Sequence, residues 1–261
     1  MGEAEGSLQG RRALVTGSTG GLGLAVAEAL GAQGCALHLH GLATPEAAEP
    51  VRADLAARHG VAVAYHHADL ADPAAITSLM AAVGPLDILV NNAATRHFGP
   101  VERMPAADWD ADVAVNLSAA FHTIRLALPA MQAAGWGRIL NMSSIYGLVG
   151  AVDRVGYVVT KTALIGLTRA VALETARQGI TCNALCPGTS LTPGIESRIE
   201  AAMQRGELRD AATAAVLHGK QPTGRFIGLG AVAGLAAWLC SEAAADLTGA
   251  ALPVDGGWSA A

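Results

Sequence analysis

The sequence predicts an α/β fold: a doubly wound parallel sheet of seven strands, carrying a helical lid over about residues 189–225. Two observations carry this. Short, near-continuously apolar runs alternate with longer helical patterns from start to finish. Such runs are what parallel strands buried on both faces look like, and the alternation matches βαβ crossovers. In addition, no composition break, Pro/Ser-rich linker or internal repeat divides the chain, so its 261 residues are expected to form a single domain, 1–261.

The elements follow in order. The first strand, 12–16, runs into a glycine-rich turn and a helical stretch over 22–33 that ends at Gly34. Strands follow at 35–40 and 61–66. Asp72 is the N-cap of a helix that begins at Pro73, where the missing N–H is harmless. A strand at 86–91, a helix at 119–134, a strand at 138–142, a helix at 154–177 and a strand at 180–185 come next. Residues 187–225 then break the alternation. They open Pro-Gly-Thr-Ser and contain a polar helix-like stretch at 195–217, a long insertion beyond a strand's carboxyl end, where a lid would sit. A helix at 228–241 and a strand at 250–254 close the chain.

Composition excludes several functions. With 52% hydrophobic and 15% charged residues, the chain can bury a sizeable core. The net charge of −5 is spread without a basic stripe, which speaks against nucleic acid as a partner. No apolar run reaches the roughly 18–20 residues of a bilayer span. Residues 1–10 carry Glu3 and Glu5 and no hydrophobic stretch, unlike a signal peptide. The four cysteines, Cys35, Cys182, Cys186 and Cys240, include no C-x-x-C pair and read as reduced and structural in a cytoplasmic protein, with no metal. A zinc pair at Cys182 and Cys186, around a strand end, is the weaker reading.

The chemistry-bearing residues are spread along the chain. Thr16 is followed by Gly17, Thr19, Gly21, Leu22 and Gly23 in a Gly-x-x-x-Gly-x-Gly turn between the first strand and its helix. Glycines let the backbone approach a pyrophosphate, whose charge is favoured at a helix N-terminus. Asp69-Leu70 follows the third strand and Asn91-Asn92-Ala93-Ala94 the fourth. Asn116 lies in Val-Asn-Leu-Ser, and Ser144 stands thirteen residues before Tyr157, which forms Tyr-x-x-x-Lys with Lys161. Pro187-Gly188 precedes Thr192, and Val254-Asp255-Gly256-Gly257-Trp258 ends the chain's last motif. Residues i and i+4 share a helix face, so Lys161 can sit beneath Tyr157, where an ammonium favours phenolate.

This series, in order and at these spacings, resembles the short-chain dehydrogenase/reductase family over essentially the whole chain. The resemblance implies a Rossmann-type fold, a nicotinamide cofactor and a homotetramer. It implies Tyr157 as the acid/base, Ser144 on the substrate oxygen, Lys161 beside the phenol, and Asn116 holding a water that links Lys161 to solvent. Gly17, Thr19, Gly21, Leu22, Gly23, Asp69, Leu70, Asn92, Tyr157, Lys161, Pro187, Gly188 and Thr192 are the implied cofactor contacts. Ala94 departs from the family's glycine. An acid at the end of the second strand would bind a ribose 2′-hydroxyl and an arginine would suit a 2′-phosphate. The chain has His38-Leu39-His40-Gly41-Leu42, with neither, and no cation at 18–20, so NAD is expected over NADP.

Within the family, Leu117 to His122, Ala172 to Ala176, Lys220-Gln221-Pro222 and Asp255 to Trp258 resemble bacterial D-3-hydroxybutyrate dehydrogenases most. The pocket does not: where those enzymes place Gln, His and Lys around the substrate this chain has Arg96, Tyr146 and Arg154, and it has Arg198 where they have Gln on the lid. They carry Trp at the position of Thr189. Arg154 and Arg198 also fall where the hydroxypropyl-coenzyme M dehydrogenases place sulfonate-binding arginines. The expected substrate is therefore a small anionic molecule, a 3-hydroxy or 3-oxo acid or a hydroxyalkyl sulfonate, bound by Arg96, Ser144, Tyr146, Arg154, Tyr157 and Arg198. The alternatives are a reductase of a neutral ketone or 3-oxoacyl thioester, against which Gly194 and the polar lid speak, and a nucleotide-binding sensor or scaffold.

Overall fold

The structure, a computed structural model, describes residues 8–261. The signal-peptide reading of residues 1–10 therefore falls largely outside the described residues. Seven strands pair in parallel in one sheet: β1 (Arg12–Val15), β2 (Ala36–Gly41), β3 (Val63–His67), β4 (Ile88–Asn91), β5 (Gly137–Met142), β6 (Ile180–Pro187) and β7 (Ala251–Val254). Their order is β3-β2-β1-β4-β5-β6-β7, so the winding reverses between β1 and β4. At such a switch point the connections leave the strand ends in opposite directions and a crevice opens at the carboxyl edge.

Alternate residues of the central strands feed two core layers. Ala13 and Val15 point to one face with Leu37 and Leu39, under α1 (Gly21–Ala32) and α9 (Leu229–Cys240). Leu14, Leu89 and Ile139 point to the other, under α3 (Pro73–Val83) and α5 (Ala119–Ala134). The cysteines are free and buried. Cys182 and Cys186 lie within β6, where burial pushes their thiols up to about 12 and about 11. Among the described residues no three His, Cys, Asp or Glu side chains cluster as metal ligands.

Three stretches differ from the expectation. A helix not anticipated, α2 (Pro45–His59), links β2 and β3; it buries only Ala48 and Leu55 and contains Pro50, so its apolar stripe is too thin to read. Its ends carry the signal instead. Thr44 Oγ1 accepts from the Ala47 N–H at 3.3 Å, Pro45 is at the first turn, and Gly60 takes the left-handed conformation that ends the helix. A further helix, α4 (Ala106–Val113), continues into α5 through a π turn at Ala114–Ser118. The lid is two helices, α7 (Pro193–Gln204) and α8 (Arg209–Leu217), broken near Gly206 at φ 94° and packed through Ile199, Ala202 and Ala212. Their break separates two short amphipathic faces that fold on each other.

The helix expected over 154–177 is α6 (Val155–Thr175), with Arg154 as its N-cap residue. It and the continuous stretch 106–134 have the length and mean hydropathy of a membrane span, contrary to the expectation that no segment would. Half of the most apolar window of α6 is buried inside the protein, so its apolar character is in good part that of a core helix. Its start packs tightly on α4: a Cβ on Gly156 would overlap Asp112 Oδ2.

Candidate active site

A cleft of about 1020 Å³ opens over the carboxyl ends of the strands at the β1/β4 switch point. One end is built by the glycine turn. Thr16 Oγ1 accepts the N–H groups of Asn92 and Ala93, at 2.9 and 3.0 Å, and Asn92 Nδ2 donates to the carbonyls of Thr16 and Gly17, at 2.9 and 3.0 Å. The ends of β1 and β4 are thereby stitched together. Gly17, at φ 63°, leaves no room for a side chain, since a Cβ would lie 2.9 Å from Ala93 Cα. A Cβ on Gly23 would overlap the Gly17 carbonyl. The helix α1 that follows has Gly20 as its N-cap residue, with no side-chain cap and no acid in the first turn. Its first N–H groups thus present partial positive charge without a protein acceptor from a cap. This cradle fits the pyrophosphate of a nicotinamide dinucleotide.

The far wall of this end holds Thr19, Gly41, Leu42, Asp69 and Leu70. Asp69 Oδ1 also accepts the Ala71 N–H at 2.9 Å, so the carboxylate caps its own turn. His40 was informative in the sequence only as a missing acid; the structure gives it a supporting task. Its Nδ1 accepts the Gly17 N–H at 3.1 Å and its Nε2 faces the Ala68 carbonyl at 3.0 Å. A carbonyl can only accept, so Nε2 carries the proton and the ring is neutral. Burial pushes its pKa down, in the same sense.

The middle of the cleft holds Ser144, Tyr157 and Lys161. Ser144 caps a short 3-10 turn at Ile145–Gly147, its Oγ accepting the Tyr146 N–H at 3.2 Å. Tyr157 and Lys161 lie one turn apart on α6. Lys161 Nζ donates to the Met142 carbonyl at 2.7 Å and lies 5.5 Å from the Tyr157 ring centre. Burial pulls the Lys161 ammonium down to about 7, and the Arg96 charge pushes the same way. Asn116 sits in the π turn, behind the cleft wall. Its Oδ1 accepts the Thr95 N–H at 2.8 Å, and its Nδ2 donates to the Thr95 carbonyl and Thr160 Oγ1, at 3.0 and 3.2 Å. The side-chain amide thereby ties the loop after β4 to α6.

The other end gathers the arginines. Arg96 lies 4.8 Å over the Tyr157 ring. Arg154 lies 4.7 Å from the Phe98 ring centre and 5.2 Å from that of Tyr146, whose ring meets Trp258 edge-on at 5.3 Å. Arg198 reaches the cleft from α7, beside Thr192, Pro187 and Gly188. Every predicted site residue except Asn116 lines this one cleft.

Three contributors were not anticipated. Lys220, at the lid's end, lines the cleft, and burial and the charges of Arg154 and Arg198 hold its pKa down. Gln221 is buried and ties the lid's two stems: its Oε1 accepts the Thr189 N–H at 3.1 Å, and its Nε2 donates to the carbonyls of Thr189 and Arg225, at 2.9 and 3.0 Å. His97 is held between two acids on one face of α4, with Nδ1 2.9 Å from Asp112 Oδ1 and Nε2 3.7 Å from Asp108 Oδ1. The spacing of Asp108 and Asp112, i and i+4, was the available signal; that the pair faces His97 was not in the sequence.

Comparison with known proteins agrees with this geometry. Residues 17–259 match the family model described as enoyl-(acyl carrier protein) reductase. The chain is 44% identical to the D-beta-hydroxybutyrate dehydrogenase of Cupriavidus necator, over 97% of this chain and 99% of that one. It is 37% identical to the 2-keto-3-deoxy-L-fuconate dehydrogenase of Xanthomonas campestris pv. campestris, over 97% of this chain and 81% of that one. The structure of L-sorbose reductase from Gluconobacter frateurii, complexed with NADPH and L-sorbose, matches with a TM-score of 0.93 at 29% identity, over 99% of this chain and 100% of that one. With the sheet order, the glycine turn and the Tyr157–Lys161 pair in place, the chain belongs to the short-chain dehydrogenase/reductase family of oxidoreductases.

Proposed function

We propose that the protein interconverts a secondary alcohol and its ketone on a small anionic substrate, using NAD. The observation that carries this is that Lys161 and Arg96 both lie close to the Tyr157 ring, 5.5 and 4.8 Å from its centre, in a cleft also lined by Arg154, Arg198 and Lys220. The bound nicotinamide supplies the hydride chemistry. In the oxidation direction Tyr157 would take the proton from the alcohol oxygen while the carbon bearing that oxygen gives up its hydride, and in reduction it would give a proton to the carbonyl oxygen. Lys161 and Arg96 stabilise negative charge as it develops on the phenol oxygen. Ser144 hydrogen-bonds the substrate oxygen. Asn116 holds Thr95 and Thr160 in register, which fixes the loop bearing Arg96 against α6.

The glycine turn would hold the pyrophosphate, with Asn92 and His40 fixing its shape, while Pro187, Gly188 and Thr192 bound the nicotinamide side. Preference for NAD rests on the far wall, where Thr19, neutral His40, Gly41 and Leu42 supply no cation for a 2′-phosphate. We further propose one domain, cytoplasmic, assembled as a homotetramer. Apolar side chains left exposed on α5 and α6, Phe121 and Leu173, and the edge position of β7 support assembly.

Four outcomes test this reading. Tyr157→Phe should lower kcat by about a hundredfold or more while cofactor affinity changes little, since general acid–base catalysis contributes roughly 10² to 10⁴. Turnover near the native rate would assign the proton to another group. Titration with both cofactors should give tighter NAD(H) binding, and tighter NADP(H) binding would reverse that preference. Arg154→Ala should cost about one to two decades of kcat/KM on 3-oxobutyrate, the range of a charge-assisted hydrogen bond, mostly in KM, and leave neutral ketones little affected. The fourth outcome concerns pH. Lys161 holds its proton less tightly in the folded protein, to about 7, than its ordinary 10.5. Between these values the unfolded chain binds more protons, so this residue's contribution to stability improves as pH rises from about 7 and is at its worst below it. Denaturant titrations of Lys161→Met against wild type should show the variant's relative advantage shrinking from about pH 6.5 to about pH 9.5; an unchanged difference would show that Lys161 is not held down by burial.

A further inference from the structure

The loop that follows β4 brings Arg96 and Phe98 to the cleft, and the residues between and beside them are tied to the frame. Thr95 is held on both backbone groups by the Asn116 side chain, at 2.8 and 3.0 Å. His97 is held by α4, its Nδ1 2.9 Å from Asp112 Oδ1. The Gly99 N–H donates to the Asp153 carbonyl at 3.1 Å, just before α6. Ties at 95, 97 and 99 thus alternate with the two side chains that meet the site, Arg96 over the Tyr157 ring and Phe98 against Arg154.

The middle tie differs from the others, because it ends on a carboxyl group sealed inside the protein. The Asp112 side chain has 0% exposure, while Asp108, one turn earlier on α4, has 39%. Asp112 Oδ1 faces His97. Oδ2 is buried with no hydrogen-bond partner among the described residues, and it lies where a Cβ on Gly156 would overlap it. A buried carboxylate is costly unless paired, so an apolar side chain would serve this position better if packing were its only task. Asp112 instead lies where α4, the loop at His97 and the first turn of α6 meet, one residue before Tyr157.

We propose that His97 is a positioning residue for Arg96. Buried Asp112 fixes the imidazole, and the imidazole fixes the loop so that the Arg96 guanidinium stays over the Tyr157 ring. A buried polar pair of this kind serves one arrangement of the chain more than its stability. With Thr95 tied on one side and His97 on the other, the backbone of Arg96 is left little freedom. Loss of the His97 tie leaves Thr95 and Gly99 to hold the loop. The proposal rests on the reading of Arg96 and Tyr157 as parts of the reaction centre, and it adds the residue that holds one to the other.

Hydrogen exchange on the whole chain, with no substrate present, tests the tie itself through the Thr95 and Gly99 amides. His97→Ala should speed their exchange by about tenfold or more, and His97→Asn, which keeps an N–H donor towards Asp112, should restore most of the protection. If the alanine variant does not fold, the double variant His97→Ala/Asp112→Ala, which also removes the stranded carboxylate, takes its place. Equal exchange in wild type and the variant without the tie would overturn the proposal, whatever the substrate. Steady-state reduction of 3-oxobutyrate by NADH then reads the role. His97→Ala should lower kcat/KM by about tenfold in the native background and hardly at all beside Arg96→Ala, because residues that act through one another are not additive. NADH affinity should stay that of the wild type. Equal losses in both backgrounds would overturn positioning through Arg96. If the wild type turns over neither 3-oxobutyrate nor a neutral ketone, the proposed reaction fails, and the exchange result still decides the tie.

Discussion

The structure depends on how the carboxyl ends of β1 and β4, paired neighbours in the sheet, are joined beyond their last ladder bond. The sheet reverses its winding there, so the backbone at the switch point cannot be covered by a crossover helix. Its polar groups need partners from the strand ends themselves. Thr16 Oγ1 and the Asn92 side chain provide them, each bonding from one strand end to the other. The stitched turn brings Gly17 and Gly23 into contact that any Cβ would prevent, and His40 supports it from β2. The shape of the cofactor end thus follows from satisfying a few backbone groups where two paired strands end.

The other half of the cleft is organised by buried polar groups that are satisfied one by one. Asn91 Nδ2 donates to Asn141 Oδ1 and Asn141 Nδ2 to Thr168 Oγ1, both at 2.9 Å, which fixes β4, β5 and α6 as one unit. Thr160 and Asn116 extend the network to the π turn and the loop bearing Arg96. Lys161 is set into this frame with a carbonyl partner and, among the described residues, no carboxylate, so its charge costs stability and its proton is held weakly. A group kept in so unfavourable a setting is characteristic of chemistry more than of packing.

The substrate end is arranged differently, by side chains more than by backbone. Phe98 and Tyr146, from two separate segments, give Arg154 ring faces to rest on, and Trp258 from a third packs edge-on against Tyr146. Gln221 anchors the lid's stems while α7 and α8 pack on their own small core, so the lid is a separate body on fixed roots. The cation excess sits between this lid and the rigid sheet.

The sequence by itself determined the parallel sheet, because strands buried on both faces must be apolar throughout, and it determined the identity of the residues that meet in the cleft, because their order and spacing are tied to the strand ends. It showed α2 only at its ends, in Thr44, Pro45 and Gly60, because the helix buries too little apolar surface between them to leave a periodic stripe. It could not show the break in the lid or the π turn around Asn116, since a helical period reads the same through either. Only the tertiary structure decided which cations lack a carboxylate partner among the described residues. Asp112 and Asp108 were spent on His97 and Glu196 on Arg209, while Arg96, Arg154, Arg198 and Lys220 line one cleft. Charge pairing depends on distance in space and on exclusion of water, and neither is written in the order of residues along a chain.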